Sequence, residues 1–208
     1  MPVLDASGPG PSFDRAVDAA AAVLAAGGVV GIPTDTVYGL ATDPVAPGSS
    51  EAVFALKGRP ADTPLPVLVA GVDQAARVGR LGTVGLLLAE TLWPGGLTLV
   101  VERQAGVEWD LGGSPATVGL RCPDHPVALA LCLRGPITAT SANRHGEPAL
   151  AGAAEVAEAF PGLLVLDGGE CRGVPSTVVD LTGAVPVLRR AGAVDWEQVE
   201  ALLGQGPP

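Results

Sequence analysis

Residues 29–40 read VVGIPTDTVYGL. The apolar run at 29–32 is too short for a helix and stops at Pro33, so it predicts a short strand buried on both faces. Beyond it, Thr34, Asp35 and Thr36 bring two hydroxyls and a carboxylate to a strand end. In α/β sheets ligands bind beyond strand ends, so this segment is a candidate for ligand contact. A turn in which Thr and Asp bond only their own backbone explains the same residues. Upstream, Ser12 is placed to cap a helix over residues 13–26, which Gly27-Gly28 ends.

Further strands are predicted at 65–69, 97–101, 117–120, 137–139 and 163–166, with a hairpin of 177–181 and 185–188 around Thr182-Gly183. Helices are predicted at 50–56, 73–80, 84–92, 126–133, 153–160 and 196–203. Strands and helices mix without strict alternation. The expected fold is therefore α/β, one domain over 1–208 built on a twisted mixed sheet with surrounding helices. Its core runs from about residue 12 to 203, with a frayed tail at 204–208.

Composition narrows the function. The 208 residues carry 12 Lys or Arg against 22 Asp or Glu, a formal net charge of −10. An acidic chain does not wrap nucleic acid through bulk charge. Apolar residues make up 48% and charged ones 16%, too apolar for a disordered chain. No apolar run reaches the ~18 residues of a membrane span. Three Cys at irregular spacing fit neither a disulfide framework nor a zinc site, and no basic, apolar leader opens the chain, so the expected compartment is the cytoplasm.

The common catalytic signatures are missing: no GxxxxGK[ST], no GxGxxG and no GxSxG. The two histidines, His125 and His145, complete no metal set, and nothing in the sequence positions a triad around either. What remains are polar clusters beside predicted strands. Lys57-Gly58-Arg59 pairs the chain's single lysine with an arginine at a helix end, suited to phosphate or to the helix terminus itself. Alternation puts Thr117, Gly119 and Arg121 on one strand face. A buried arginine there needs an anionic partner, either a structural carboxylate or a substrate carboxylate. Thr138, Thr140, Ser141 and Asn143 offer uncharged donors and acceptors at another strand end, for a ligand or for a capped turn.

The segments PTDTVYGL, KGRP, PLPVLV, WPGGLT, VGLRCPDHP, PITATSAN and PSTVVD stand here in order between about Gly28 and Gly192. In sequence and spacing they resemble the YrdC-type threonylcarbamoyl-adenylate synthases. That resemblance implies a concave ligand cavity and a reaction of L-threonine, bicarbonate and ATP, with magnesium on the triphosphate. The products are threonylcarbamoyl-AMP and pyrophosphate. A downstream threonylcarbamoyl-transferase complex then modifies a tRNA adenosine, so tRNA is engaged only indirectly or weakly. The resemblance assigns Lys57 and Arg59 to catalysis. It assigns Thr36, Arg121 and Ser176 to threonine, and Lys57, Arg59, Thr117, Ser141, Asn143 and Arg190 to the nucleotide, with no protein metal ligand. The chain reads Arg190-Ala191-Gly192 where family members carry Arg-Pro-Gly, and Arg190 rather than Arg189 is taken as the contact. The chain reads as the short form of the family. Two other readings share the fold. One is a non-catalytic RNA-binding module, which the scarcity of basic and aromatic residues disfavours. The other is an enzyme that uses carbamoyl phosphate in place of threonine and bicarbonate.

Overall fold

The computed structural model describes residues 2–58 and 63–204. The elements run β1 (Val3–Asp5), α1 (Pro11–Ala25), β2 (Val30–Ile32), β3 (Gly39–Thr42), α2 (Ser49–Lys57), β4 (Val67–Leu68), α3 (Val72–Val78), β5 (Gly79–Arg80) and α4 (Gly82–Leu92). They continue with β6 (Leu97–Arg103), β7 (Thr117–Arg121), α5 (Pro126–Cys132), β8 (Ile137–Ser141), α6 (Ala153–Ala159), β9 (Leu164–Asp167), β10 (Thr177–Asp180), β11 (Val187–Arg190) and α7 (Trp196–Gly204). Among the described residues all strands join one sheet in the order β1-β9-β2-β3-β8-β4-β7-β6-β10-β11, with β5 added beside β6. Pairs β1/β9, β2/β9, β4/β7 and β6/β10 are parallel and the rest antiparallel, so the sheet is mixed.

The two halves of the sheet are covered differently. In β2 and β9, Val30, Ile32, Leu164 and Leu166 face α1 and α5. Val165 and Leu40 turn the other way, onto Val53 of α2 and Val156 of α6. Helices on both faces explain why these strands are apolar throughout. In the other half, Leu97, Leu99 and Val101 of β6 and Val118 and Leu120 of β7 pack against α3, α4 and α7. The opposite face of β6 and β7 carries Thr98, Val100, Gly119 and Arg121, and no helix among the described residues covers it; it lines a cavity.

Several sequence expectations need correction. Ser12 does not cap α1: Gly10 is the N-cap, without a side-chain bond, and Pro11 starts the helix, as suits a residue with no N–H to satisfy. The helix expected to reach residue 80 stops at Val78, and Gly79–Arg80 pairs instead with Glu102 and Arg103 of β6. Strand β3 was hidden by its Gly39-Leu40-Ala41-Thr42 composition. Tertiary pairing on both sides, with β2 and β8, overrides weak strand propensity there. Strand β1 was also missed, an edge strand of three residues on β9. The first strand of the late hairpin starts where expected, at Thr177, while the second sits two residues further on, with an irregularity between Val178 and Val179, and this makes Arg190 the last residue of β11. Among the described residues no helix is long and apolar enough to cross a membrane. All three cysteines are free.

Candidate active site

The PTDTVY segment, residues 33–38, is the connection between antiparallel β2 and β3, and its position beside β8 and β7 brings it to one end of the sheet. Its fold is local. Thr34 Oγ1 donates to the Val37 carbonyl at 2.7 Å, accepts from the Thr36 and Val37 N–H groups, and lies 2.9 Å from Thr36 Oγ1. Thr34 is thereby a turn-former, and Thr36 is aimed at the cavity. That cavity has a volume of about 270 Å³ and is floored by Thr98, Val100, Gly119 and Val178. Leu65, Pro66, Ala139 and Ser141 form one wall, with Thr36, Arg121, Ser176 and Arg190 around them. The size is near the lower end for small-molecule sites, ~300 Å³.

Arg121 ends β7 with its side chain 7% exposed. Its Nη2 donates to Asp35 Oδ1 at 2.5 Å, its Nη1 to Thr36 Oγ1 at 2.8 Å and its Nε to the Gly95 carbonyl at 2.9 Å. The anionic partner that sequence reasoning left open is therefore present in the chain as Asp35. Burial pulls the guanidinium pKa down from its ordinary range, and Asp35 opposes that shift. Three of the five N–H donors are used, leaving one on each terminal nitrogen.

Ser176 is held by close backbone approach. The Thr177 N–H donates to the Gly96 carbonyl at 2.9 Å and the Ala193 N–H to the Pro175 carbonyl at 2.9 Å. A Cβ on Gly192 would lie 2.3 Å from the Pro175 oxygen, and one on Gly96 would lie 2.6 Å from Ala193 Cβ. These two glycines let segments 95–97, 175–177 and 191–193 stack. The Ser176 hydroxyl lies 2.8 Å from Thr98 Oγ1. Arg190 donates from Nε and Nη2 to the Ser176 carbonyl at 3.0 and 2.8 Å, and from Nη2 to its hydroxyl at 3.0 Å. The two N–H groups of Nη1 are left over. Burial and the like charge of Arg121 both pull the Arg190 pKa down. Two arginines thus repel each other across one cavity, an arrangement that an anion relieves. Arg189 points elsewhere: it pairs with Asp180 at 2.7 Å, and its side chain is 61% exposed.

Of the remaining expected residues, Ser141 is on the cavity wall, while Lys57, Asn143 and Thr117 are not among its lining residues. Lys57 is buried at 3% exposure. Its Nζ donates to the Ser141 carbonyl, to the Asn143 carbonyl at 2.8 Å and to Asn143 Oδ1 at 3.2 Å. The Ser141 hydroxyl, on the cavity, donates to Asn143 Oδ1 at 2.5 Å, and Asn143 Nδ2 bonds the Arg144 and Glu147 carbonyls. Lys57 and Asn143 form the scaffold of the turn that carries Ser141. Thr117 sits further back on β7, where its carbonyl accepts from Arg103 at 3.2 Å. Arg59 lies outside the described residues. Sequence reasoning missed Thr98, although alternation along LTLVV separates it from Leu97, Leu99 and Val101, and it missed the pairing of Asp35 with Arg121, which no local pattern encodes.

A twisted mixed sheet with Arg121 and Arg190 lining a cavity on one face defines an α/β protein with a cationic candidate site. The chain belongs to the Sua5/YciO/YrdC family, whose model, described as "Telomere recombination", matches residues 22–192. It is 40% identical to the threonylcarbamoyl-AMP synthase of Pyrococcus abyssi over 89% of this chain and 56% of that protein. It is 37% identical to a putative threonylcarbamoyl-AMP synthase of Mycobacterium leprae, over 93% of this chain and 90% of the relative. The crystal structure of P. abyssi Sua5 complexed with L-threonine superposes with a TM-score of 0.91 at 36% identity, covering 98% of this chain and 61% of that one. The chain spans a little over half the length of the Pyrococcus and Bacillus subtilis relatives, 56% and 57%.

Proposed function

We propose that the chain makes threonylcarbamoyl-AMP from L-threonine, bicarbonate and ATP, with release of pyrophosphate. The observation that carries this reading is the pair Arg121 and Arg190. They come from two strands, face one cavity and keep N–H donors unspent, and among the described residues Arg190 has no carboxylate partner. The names of the relatives and the threonine-bound Pyrococcus structure support the same choice of substrates.

The threonine amine adds to the carbon of bicarbonate and water leaves, giving a carbamate. A carbamate oxygen then attacks the α-phosphorus of ATP, and the bond to pyrophosphate breaks. No protein nucleophile is required; the site supplies position and positive charge where negative charge gathers. Arg121 takes the threonine carboxylate through its two remaining terminal N–H groups, a geometry suited to a bidentate pair. Thr36 and Ser176 flank it. Ser141 and Arg190 face the nucleotide phosphates. Lys57 and Asn143 serve through the turn that presents Ser141, and Thr117 through the strand that carries Gly119 and Arg121. Arg59 is assigned to the phosphates on the family resemblance alone. Among the described residues no group of three or more His, Cys, Asp or Glu is arranged to hold a metal ion. A magnesium ion on the ATP phosphates is assigned on the family resemblance alone. A partner enzyme in the cytoplasm carries the threonylcarbamoyl group on to tRNA, and the net charge of −10 suits a protein that hands over a small molecule.

The test is pyrophosphate release by the purified protein with magnesium and ATP, omitting threonine and bicarbonate in turn. Release that needs both supports the reading. Release that ignores threonine, or ATP left intact beside RNA binding, rejects it.

A further inference from the structure

We propose that Asp35 is a positioning residue for Arg121, selecting which edge of the guanidinium is presented to the substrate carboxylate. The inference rests on the reading that the cavity takes L-threonine. Asp35 Oδ1 accepts two bonds, from Arg121 Nη2 at 2.5 Å and from the Asp124 backbone N–H at 3.0 Å. The carboxylate therefore ties the loop after β2 both to Arg121 at the end of β7 and, directly, to the loop that follows β7. Both side chains are nearly enclosed, 7% exposed for Arg121 and 9% for Asp35. With Gly95 fixing Nε and Thr36 fixing Nη1, Asp35 is the third point that defines the guanidinium plane. A counter-ion close to Arg121 also weakens its pull on any substrate anion. An ion pair kept at that electrostatic cost inside a binding cavity is explained by orientation: a bidentate pair depends on the fork being aimed before the carboxylate arrives.

Two substitutions separate orientation from charge. Asp35→Asn keeps an oxygen where both bonds end and loses the charge. Asp35→Glu keeps the charge and displaces it by one methylene. Orientation predicts that the threonine KM stays within about threefold of wild type in Asp35→Asn and rises more than about tenfold in Asp35→Glu, with the ATP KM little changed in both. The reverse order, or a threonine KM unchanged or lowered in Asp35→Glu, overturns the proposal and leaves Asp35 a plain counter-ion. Wild-type protein provides a check that needs no variant to fold. In 15N spectra without threonine, the Arg121 Nη–H signals should already be resolved by hindered rotation. Averaged signals that resolve only on adding threonine would also overturn it. A wild-type protein whose pyrophosphate release is independent of threonine removes the proposed function instead, and the spectra still report on Asp35.

Discussion

Arg121 and Arg190 divide the cavity between them, and their substitutions should divide the kinetics. Arg121→Ala removes a buried charged contact and leaves Asp35 unpaired. Losses of this kind cost about 2–5 kcal/mol, so the threonine KM should rise at least about thirtyfold, with a smaller change for ATP. Arg190→Ala should show the opposite split, because Nη1 of Arg190 is assigned to phosphate. Steady-state kinetics with each substrate varied in turn checks both. Equal effects on both substrates from either variant would dissolve the assignment. At this scale the sequence was legible where residue type and place agreed: a buried-strand arginine asks for an anion wherever it is found. It was silent where partners are far apart in the chain. Nothing near Lys57 announces that its ammonium turns inward to the 141–143 turn, and nothing near Asp35 announces Arg121, 86 residues away.

At the scale of elements, the site depends on backbone stacking at Gly96 and Gly192. In Gly192→Ala the new methyl would meet backbone atoms of Pro175 and Ser176 at 2.3 and 2.5 Å, which cannot swing aside as a side chain can. The expected cost is about 3 kcal/mol, seen as a lowered Tm with loss of activity. Gly135→Ala, where a Cβ meets nothing within 4 Å, serves as the neutral control. His125 makes a second prediction. Its Nδ1 accepts from the Val127 N–H as the N-cap of α5, and its ring lies against Gly168. Burial lowers its pKa below the ordinary 6.5, only partly opposed by a bond to the Gly168 backbone and by Asp35 and Asp124. The folded protein thus prefers the neutral ring, while the unfolded chain takes up a proton first. The contribution of His125 is present above about pH 6.5 and is lost as pH falls from there toward the folded value. Urea unfolding across that window should show a shallower loss of stability in His125→Gln than in wild type. Identical slopes would remove His125 as the cause. Apolar runs and breakers exposed most elements to prediction. Strand β3 escaped because Gly and Ala in its sequence carry no strand preference, and only its neighbours β2 and β8 make it one.

For the whole molecule, the division of the sheet explains the position of the site. One half is clad with helices on both faces. The other is clad on one face only, and the uncovered face of β6, β7 and β10 is the cavity floor. The order of predicted strands and helices anticipated a mixed α/β sheet but could not show which face would be left open, because that depends on the strand order that sets β4, β7 and β6 one after another beyond β8. In the proposed reaction the bicarbonate carbon ends between threonine and AMP. The most direct test is mass spectrometry of the nucleotide pool after incubation with ATP, magnesium, L-threonine and 13C-bicarbonate. An adenylate carrying one threonine and one 13C atom should form with pyrophosphate and be absent when threonine is withheld. ATP consumed with no 13C in any nucleotide, or a labelled adenylate that forms without threonine, would contradict the proposed reaction.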